Sequence, residues 1–358
     1  MSTPRKRIAQ FVALTGLVTM AFATLVAPAM AAVSITGAGA TFPAPLYSKW
    51  SSDYYSKTGK KVKVNYQAIG SGGGISAIKA GTVLFGGSDA PMTAADLKKF
   101  SLVQFPTCVG GVVPIVNVPG VGSGKLKLTG TILAQIYLGK IKTWDASGIK
   151  ALNPGVNIPK GLKIHPIHRS DASGTTWIFT HYLTAVNGDW AKQVGAGMSV
   201  HWKVGLGAKG SENVTFDVKN TKGGIGYVEY AYSVQARVPW AKLRNRSNAY
   251  VSPTLASFKA AAGSAKWSTG NGFGTIFVNA SGKGSWPITG ASFVIVKKST
   301  GNYTNAHTMF QFWDWAYKNT TGKADASKLK YVSMPSGVIA AVEKAWHAQV
   351  KAAGKAAW

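Results

Sequence analysis

The stretch at residues 34–42 reads Ser-Ile-Thr-Gly-Ala-Gly-Ala-Thr-Phe and contains the clearest indication of the fold. Its opening residues favour a β-strand, and the glycines that follow favour a tight turn. Beyond it, Leu46, Trp50 and Tyr54 recur at the spacing of one helix face. The segment therefore predicts a strand, a glycine-rich turn and the start of a helix.

The same order of strand, glycine-rich turn and helix is predicted at residues 61–80, 83–97 and 162–183. Such alternation is typical of α/β layer proteins, in which ligands gather at the carboxyl ends of strands. Further strands are predicted at 109–118 and 292–296, and helices at 129–138, 306–317 and 338–350. Short connections predict two lobes, with the strand at 109–118 crossing between them.

The first 31 residues have the pattern of a secretory signal peptide. Arg5, Lys6 and Arg7 precede an apolar run, which ends at the small residues Ala29 and Ala31. An uncleaved membrane anchor is the alternative, because the run is nearly long enough to span a bilayer. We predict cleavage after Ala31 and export of the mature chain.

The composition narrows the class of protein. The 358 residues include 40 Lys and Arg but only 12 Asp and Glu, which gives a formal charge of +28. An apolar content of 46 % excludes a disordered basic tail. A lone Cys108 excludes an internal disulfide, and its apolar neighbours predict a core position. So few carboxylates leave little stability to lose in acid, which suggests an acidic habitat.

Four loops, at residues 36–42, 70–74, 86–91 and 169–175, share a chemistry suited to a small oxyanion. Each follows a predicted strand and is rich in Gly, Ser and Thr. Helix N-termini present unpaired N–H groups and a positive dipole end, and hydroxyls add further donors. Arg169 adds a planar fork of donors, and Asp171 is either its surface partner or the group that orients it.

Asp89, in the third loop, is unusual in a site for anions. A carboxylate repels a fully ionised anion but accepts a hydrogen bond from one that carries a proton. Asp89 therefore predicts selection of phosphate or arsenate over sulfate. The alternative is a turn or helix-capping role before Ala90 and Pro91.

Five motifs resemble, in order, the periplasmic phosphate-binding proteins of high-affinity phosphate ABC importers. They are Thr-Gly-Ala-Gly-Ala-Thr-Phe-Pro-Ala-Pro at 36–45, Tyr-Gln-Ala-Ile-Gly-Ser at 66–71, Ser-Asp-Ala-Pro at 88–91, Arg-x-Asp-x-Ser-Gly-Thr at 169–175 and Ile-Gly-Tyr-Val-Glu-Tyr-Ala at 225–231. The resemblance spans essentially the whole mature chain. It implies an α/β, two-lobed type II binding protein, each lobe a mixed β-sheet flanked by helices, with the ligand cleft between the lobes.

The resemblance also implies an organisation and a function. We expect a signal peptide at 1–31, lobe I at 32–107 plus 286–358, and lobe II at 108–285. The expected function is high-affinity binding of inorganic phosphate in the periplasm and its delivery to the membrane permease subunits of an ABC importer. We expect a monomer without cofactor, metal or nucleic-acid partner, and no covalent chemistry.

The same resemblance assigns the ligand contacts. They fall on Thr41, Phe42, Ser71, Asp89, Arg169, Ser173, Gly174 and Thr175, with Asp171 in support. Thr41, Phe42 and Gly174 would donate backbone N–H groups, the hydroxyls would donate as well, and Asp89 would be the single acceptor. Two positions depart from the family: Gly72 replaces a frequent Ser, and Ala172 replaces a frequent Gly. The second departure reshapes its loop if a positive φ is needed there.

Two other classes of function compete with this interpretation. An exported phosphate-ester hydrolase would need a base beside Ser71 or Ser173, and His168 is the candidate. On a strand, however, His168 would point away from its neighbour Arg169. A basic nucleic-acid-binding protein fits the net charge, but the mature chain has no basic run longer than two residues.

Overall fold

The computed structural model describes residue 1 and residues 32–358. Apart from Met1, the predicted signal peptide lies outside the described residues. Within the described part of the chain, no helix is both long and apolar enough to cross a membrane.

The strands run in chain order as follows: β1 (Val33–Gly39), β2 (Val62–Ala68), β3 (Phe85–Ser88), β4 (Leu102–Val116), β5 (Lys127–Leu128), β6 (His165–Arg169), β7 (Leu206–Ala208), β8 (Gly224–Glu229), β9 (Lys242–Arg244), β10 (Tyr250–Val251), β11 (Thr289–Lys297), β12 (Ser299–Thr300), β13 (Val332–Ser333), β14 (Lys351–Ala352) and β15 (Lys355–Ala356). The helices are α1 (Ala44–Lys57), α2 (Ser71–Ala80), α3 (Ala94–Lys99), α4 (Gly130–Tyr137), α5 (Ser147–Leu152), α6 (Gly174–Val186), α7 (Gly188–Gln193), α8 (Gly210–Asn220), α9 (Tyr230–Ala236), α10 (Leu255–Ala262), α11 (Tyr303–Lys318), α12 (Thr320–Lys328) and α13 (Ser336–Gln349).

One large mixed sheet organises the molecule. Its strand order is β2-β1-β3-β11-β4-β8-β6-β7, with β13 paired to β4. At one end β1 lies parallel to β2 and β3, and at the other β6 lies parallel to β7 and β8. The antiparallel strands β4 and β11 join the two parallel groups. Helices follow β1, β2, β3 and β6, as the repeated sequence pattern predicts.

The central strand β4 is longer than the sequence predicts. It begins at Leu102 rather than at residue 109, and all its residues are buried. Proline normally interrupts a ladder of hydrogen bonds. Pro106 is accommodated because the β4–β11 register shifts beside it, between Ser292 and Phe293. An irregularity of this kind absorbs a missing N–H without ending the strand.

The core confirms the prediction for Cys108 and shows how α11 packs. The Cys108 side chain is fully buried. The aromatic face of α11 also packs inward: Trp313 lies edge-on to Tyr47, with ring centroids 5.1 Å apart, and edge-on to Phe85 at 5.2 Å. Such edge-to-face pairs are a favoured geometry for buried rings. Helix α11 is therefore a packing element.

The glycines of two predicted loops belong to a helix and a strand rather than to loops. Those at 72–74 belong to α2, and those at 86–87 belong to β3. A Cβ at Gly74 would lie 2.6 Å from both the Gly39 Cα and the Gly87 carbonyl oxygen. Gly74 therefore lets α2 approach the sheet closely, which is a packing role.

Candidate functional site

The carboxyl ends of β1, β2, β3 and β6 bring the four predicted loops into direct contact. Ser71, at the start of α2, is fully buried, and its Oγ accepts hydrogen bonds from two other loops. One comes from the Gly174 N–H at 3.0 Å and the other from the Asp89 N–H at 3.2 Å. The residues predicted from the sequence therefore lie together, although they come from distant parts of the chain.

Arg169 extends from the end of β6 into this cluster, and its side chain is 1 % exposed. Its guanidinium binds both carboxylate oxygens of Asp171, with an Nε–Oδ1 distance of 2.7 Å. Partial burial opposes ionisation of Asp171, but the hydrogen bonds and charge of Arg169 prevail and lower its pKa below the usual value. Asp171 therefore orients a buried arginine, and the alternative of a surface ion pair is wrong.

The outer edge of the guanidinium faces two hydroxyls. Arg169 Nη1 donates to Thr41 Oγ1 at 3.0 Å, and Ser211 Oγ lies 2.8 Å from that same Thr41 oxygen. Ser211 is fully buried in the first turn of α8 and is absent from the residues chosen from the sequence. A Gly-Ser pair marks the start of α8, but the contact of Ser211 with Thr41 depends on how that helix packs against the first loop.

Asp89 follows β3 and is 1 % exposed. Its Oδ1 accepts a hydrogen bond from Ser292 Oγ at 2.8 Å, and its buried Oδ2 has no partner among the described residues. Burial raises the pKa of Asp89 to about 7, against the opposing effects of Ser292 and the Arg169 charge. Thr93, not Asp89, caps α3, so the helix-capping alternative is wrong.

The start of α6 supplies the predicted hydroxyls. Ser173 is the N-cap, and its Oγ accepts from the Thr176 N–H at 3.1 Å, which leaves its own hydrogen free to donate. Thr175 Oγ1 is buried without a partner in the described part of the chain. In the first loop, the backbone N–H groups of Thr41 and Phe42 likewise have no acceptor among residues 32–358. Unpaired buried donors of this kind suit an anion.

The two departures from the family contact each other. A Cβ at Gly72 would lie 2.5 Å from the Ala172 Cβ, and the Gly72 N–H donates to the Ala172 carbonyl at 2.9 Å. Ala172 is not among the residues with positive φ, so its side chain imposes no strain there. The missing side chain at 72 makes room for the additional methyl at 172.

His168 does not serve the buried hydroxyls. Its ring stacks on Trp202 with centroids 4.6 Å apart, and its Nδ1 lies 3.1 Å from the Arg169 carbonyl oxygen. No hydrogen bond joins His168 to Ser71 or Ser173, all three of which lie within the described residues. Among those residues, no group of three His, Cys, Asp or Glu side chains is arranged to hold a metal ion.

The described chain is an α/β protein in which buried polar groups from four loops gather at the ends of its strands. A family model described as a PBP superfamily domain matches residues 26–320. The phosphate-binding protein PstS of Haemophilus influenzae is 48 % identical over 324 residues, which cover 90 % of this chain and 96 % of that protein. The chain belongs to the PstS family of phosphate-binding proteins within the PBP superfamily, as its motifs predict.

Solved structures share the fold. A high-affinity periplasmic phosphate-binding protein, PfluDING, bound with phosphate, matches with a TM-score of 0.70 at 21 % identity, covering 88 % of this chain and 94 % of that one. The phosphate-binding protein of Stenotrophomonas maltophilia matches with a TM-score of 0.66 at 21 % identity, covering 91 % and 96 %. The predicted α/β type II fold class is therefore confirmed.

Proposed function

We propose that this protein binds inorganic phosphate with high affinity and delivers it to the permease of an ABC importer, without making or breaking a covalent bond. The observation that carries the proposal is the buried arrangement of many donors around a single acceptor carboxyl. Arg169, hydroxyls and backbone N–H groups supply the donors, and Asp89 Oδ2, which has no partner among the described residues, supplies the acceptor. Hydrogen phosphate has the oxygens and the proton that this arrangement requires.

Each predicted contact has a role in this proposal. Thr41, Phe42 and Gly174 donate backbone N–H groups, and the Ser71, Ser173 and Thr175 hydroxyls donate as well. Arg169, held by Asp171, supplies the positive charge in a nearly dehydrated site, where each fixed dipole is worth more than at an open surface. Gly174 N–H and Ser71 Oγ now bond each other, so binding would exchange that contact for contacts with the ion.

We propose two lobes that close on the ion, lobe I from 32–107 plus 286–358 and lobe II from 108–285. The pairing of β4 supports two groups of strands, with the change of partner a few residues beyond the proposed boundary. It pairs with β11 as far as Gly111 and with β8 from Val112 onwards, so one strand continues from one group of strands into the other. Closure of lobes about such connections is a common way to exclude water from a ligand.

Export to the periplasm and docking on a membrane permease follow from the family and from the signal-like residues 1–31. Nearly complete coverage of the PstS relative supports a binding component over a hydrolase, as does the position of His168, whose ring packs on Trp202. A monomeric state and the absence of a nucleic-acid partner are part of the same proposal. The positive charge would attract phosphate to the surface.

Calorimetric titration of the secreted protein with phosphate, sulfate and arsenate tests the function. We expect saturable one-to-one binding of phosphate and no measurable binding of sulfate at the same concentration. Loss of phosphate binding in Arg169→Ala, with an unchanged urea unfolding midpoint, would support the assigned site. Turnover of a phosphate ester that His168→Ala abolishes would instead favour the hydrolase, and steeply salt-dependent binding of arbitrary DNA would favour the nucleic-acid alternative.

A further inference from the structure

Tyrosine hydroxyls hold three consecutive carbonyl oxygens of the first loop. The bonds run from Tyr66 to Ala40 at 2.9 Å, from Tyr232 to Thr41 at 2.7 Å and from Tyr331 to Phe42 at 2.7 Å. The tyrosines come from three separate segments: β2, α9 and the connection between α12 and β13. Three unrelated parts of the fold thus converge on one short stretch of backbone.

Peptide geometry gives these bonds a consequence for the ligand. In a trans peptide the carbonyl and the N–H of one unit point in opposite directions. The Ala40 carbonyl shares its unit with the Thr41 N–H, and the Thr41 carbonyl shares its unit with the Phe42 N–H. A tyrosine that holds the carbonyl from behind therefore aims the N–H forwards and polarises it, because linked hydrogen bonds strengthen one another.

We propose that Tyr66 and Tyr232 are positioning residues that aim the Thr41 and Phe42 amides at the bound anion, while Tyr331 fixes the end of the loop. The inference rests on the proposed phosphate-binding function, since it assigns how those two amides are oriented. Tyr331 has the smaller part, because the Phe42 carbonyl shares its peptide unit with Pro43, which has no N–H. None of the three tyrosines is a predicted ligand.

The surroundings of the three tyrosine hydroxyls keep them protonated, so that they act as hydrogen-bond donors. Burial is the main cause that raises the pKa of Tyr66, Tyr232 and Tyr331 above the usual value, so none ionises in ordinary buffers. Behind Tyr331, Glu229 Oε2 lies 2.7 Å from the tyrosine oxygen. The Tyr331 hydroxyl has one hydrogen for two acceptors, the Phe42 carbonyl and Glu229 Oε2, and Oε2 also accepts from the Ala231 N–H at 2.7 Å. Burial is the main cause that raises the pKa of Glu229 above its usual value.

Phenylalanine variants test the proposal, because they keep the ring and remove only the hydroxyl. Tyr317→Phe is the matched control, since Tyr317 is buried and donates to the Pro106 carbonyl rather than to the first loop. We expect Tyr66→Phe and Tyr232→Phe each to weaken phosphate binding by about 3- to 10-fold, the equivalent of one neutral hydrogen bond. Tyr331→Phe should have a smaller effect, and the control should bind like the native protein.

Amide NMR separates positioning from general destabilisation. Phosphate should shift the Thr41 and Phe42 N–H resonances downfield in the native protein. Tyr66→Phe should reduce the Thr41 shift selectively, and Tyr232→Phe should reduce the Phe42 shift selectively. A uniform loss of stability would not produce this pairwise pattern, and urea unfolding of each variant provides the comparison.

Failure of the inference and failure of the proposed function give different results. If the native protein does not bind phosphate, the proposed function is wrong. If it binds phosphate, but Tyr66→Phe and Tyr232→Phe match Tyr317→Phe in affinity and in both amide shifts, the positioning role is overturned. If a variant fails to fold, the tyrosine hydroxyl proton resonances of the native protein provide the test instead. Phosphate should shift the resonances of Tyr66 and Tyr232 but not that of Tyr317. If none of the three resonances moves, the positioning role is overturned.

Discussion

Ser292 donates a hydrogen bond to Asp89 Oδ1 across 2.8 Å, although the two residues lie 203 positions apart in the chain. The bond depends on the antiparallel pairing of β11 with β3, which sets Phe293 opposite Ser88. It fixes one oxygen of the carboxyl and leaves the other, Oδ2, to face Gly174. Ser292 therefore determines which oxygen of Asp89 is available to a ligand.

Asp89→Asn should weaken discrimination between phosphate and sulfate. The amide nitrogen of asparagine donates a hydrogen bond where the carboxylate accepts one. It can therefore donate to sulfate, and it cannot accept the proton that hydrogen phosphate carries. We expect the ratio of phosphate to sulfate affinity to fall by at least about tenfold, the scale of one charge-assisted hydrogen bond. Calorimetry with both anions measures this ratio. Asp96→Asn, on the partly exposed start of α3, is the control, and an unchanged ratio in Asp89→Asn would contradict the proton-selecting role.

The stability of the ligand-free protein should rise as the pH falls from 8 towards 5. Burial raises the pKa of folded Asp89 to about 7, whereas an unfolded aspartate titrates near about 3.9. The folded protein therefore binds the additional proton between those values. The stability that this proton contributes is complete below the unfolded pKa and is lost as the pH rises through the folded one.

Urea unfolding in phosphate-free buffer measures this dependence. One proton contributes up to about 1.4 kcal/mol of unfolding free energy per pH unit. Asp89→Asn should flatten the dependence, although buried Glu229, whose pKa is also raised, adds a slope of the same sign. Equal slopes in the native protein and Asp89→Asn would contradict the assignment.

A rise in unfolding free energy in mild acid agrees with the acidic habitat that the scarcity of carboxylates suggests. Sharp unfolding between about pH 5 and 3, where carboxylates protonate, would count against that habitat.

Asp171→Asn should weaken phosphate binding through Arg169. The carboxylate accepts from the guanidinium through both of its oxygens and also from the Gly210 N–H at 3.1 Å. An amide has only one acceptor oxygen and cannot accept two hydrogen bonds from the guanidinium in this geometry. The buried arginine therefore loses its fixed orientation. We expect an affinity loss of about 10- to 100-fold, as for a charge-assisted hydrogen bond. Asp189→Asn breaks only an exposed pair with Lys140 and should leave phosphate affinity unchanged.

Gly72 and Ala172 should show strong coupling in a double-mutant cycle. Gly72→Ser alone places a side chain against the Ala172 methyl and should lower the unfolding free energy by about 1–3 kcal/mol, as overpacking does. Ala172→Gly in the same protein should restore most of that loss, giving a coupling energy of about 0.5–3 kcal/mol. Urea unfolding of the four proteins measures it. Gly148→Ser is the control, because a Cβ at Gly148 meets open space; strictly additive effects would show that the two positions do not compensate.

Local sequence signals predicted much of the framework. Strand patterns ending in Gly, Ser and Thr located the loops, because turns and helix N-termini depend on residues close together in the chain. Thr129 and Thr93 cap α4 and α3, and each side chain accepts a hydrogen bond from the backbone N–H three residues further on. Asp89 and Arg169 follow from the same local signals, since each lies in a loop after a predicted strand, whereas the resemblance to the family supplies Ser71.

Local residue patterns specify the α/β alternation, the strand ends and the residues that those ends present. The contacts that hold these residues in place come from long-range packing: Ser292 beside Asp89, Ser211 beside Thr41, and the tyrosines behind the first loop. Those contacts depend on the register of distant strands and on which helix packs against which loop. A hydrogen bond within about 3 Å requires that long-range arrangement, and no local pattern of residues encodes it.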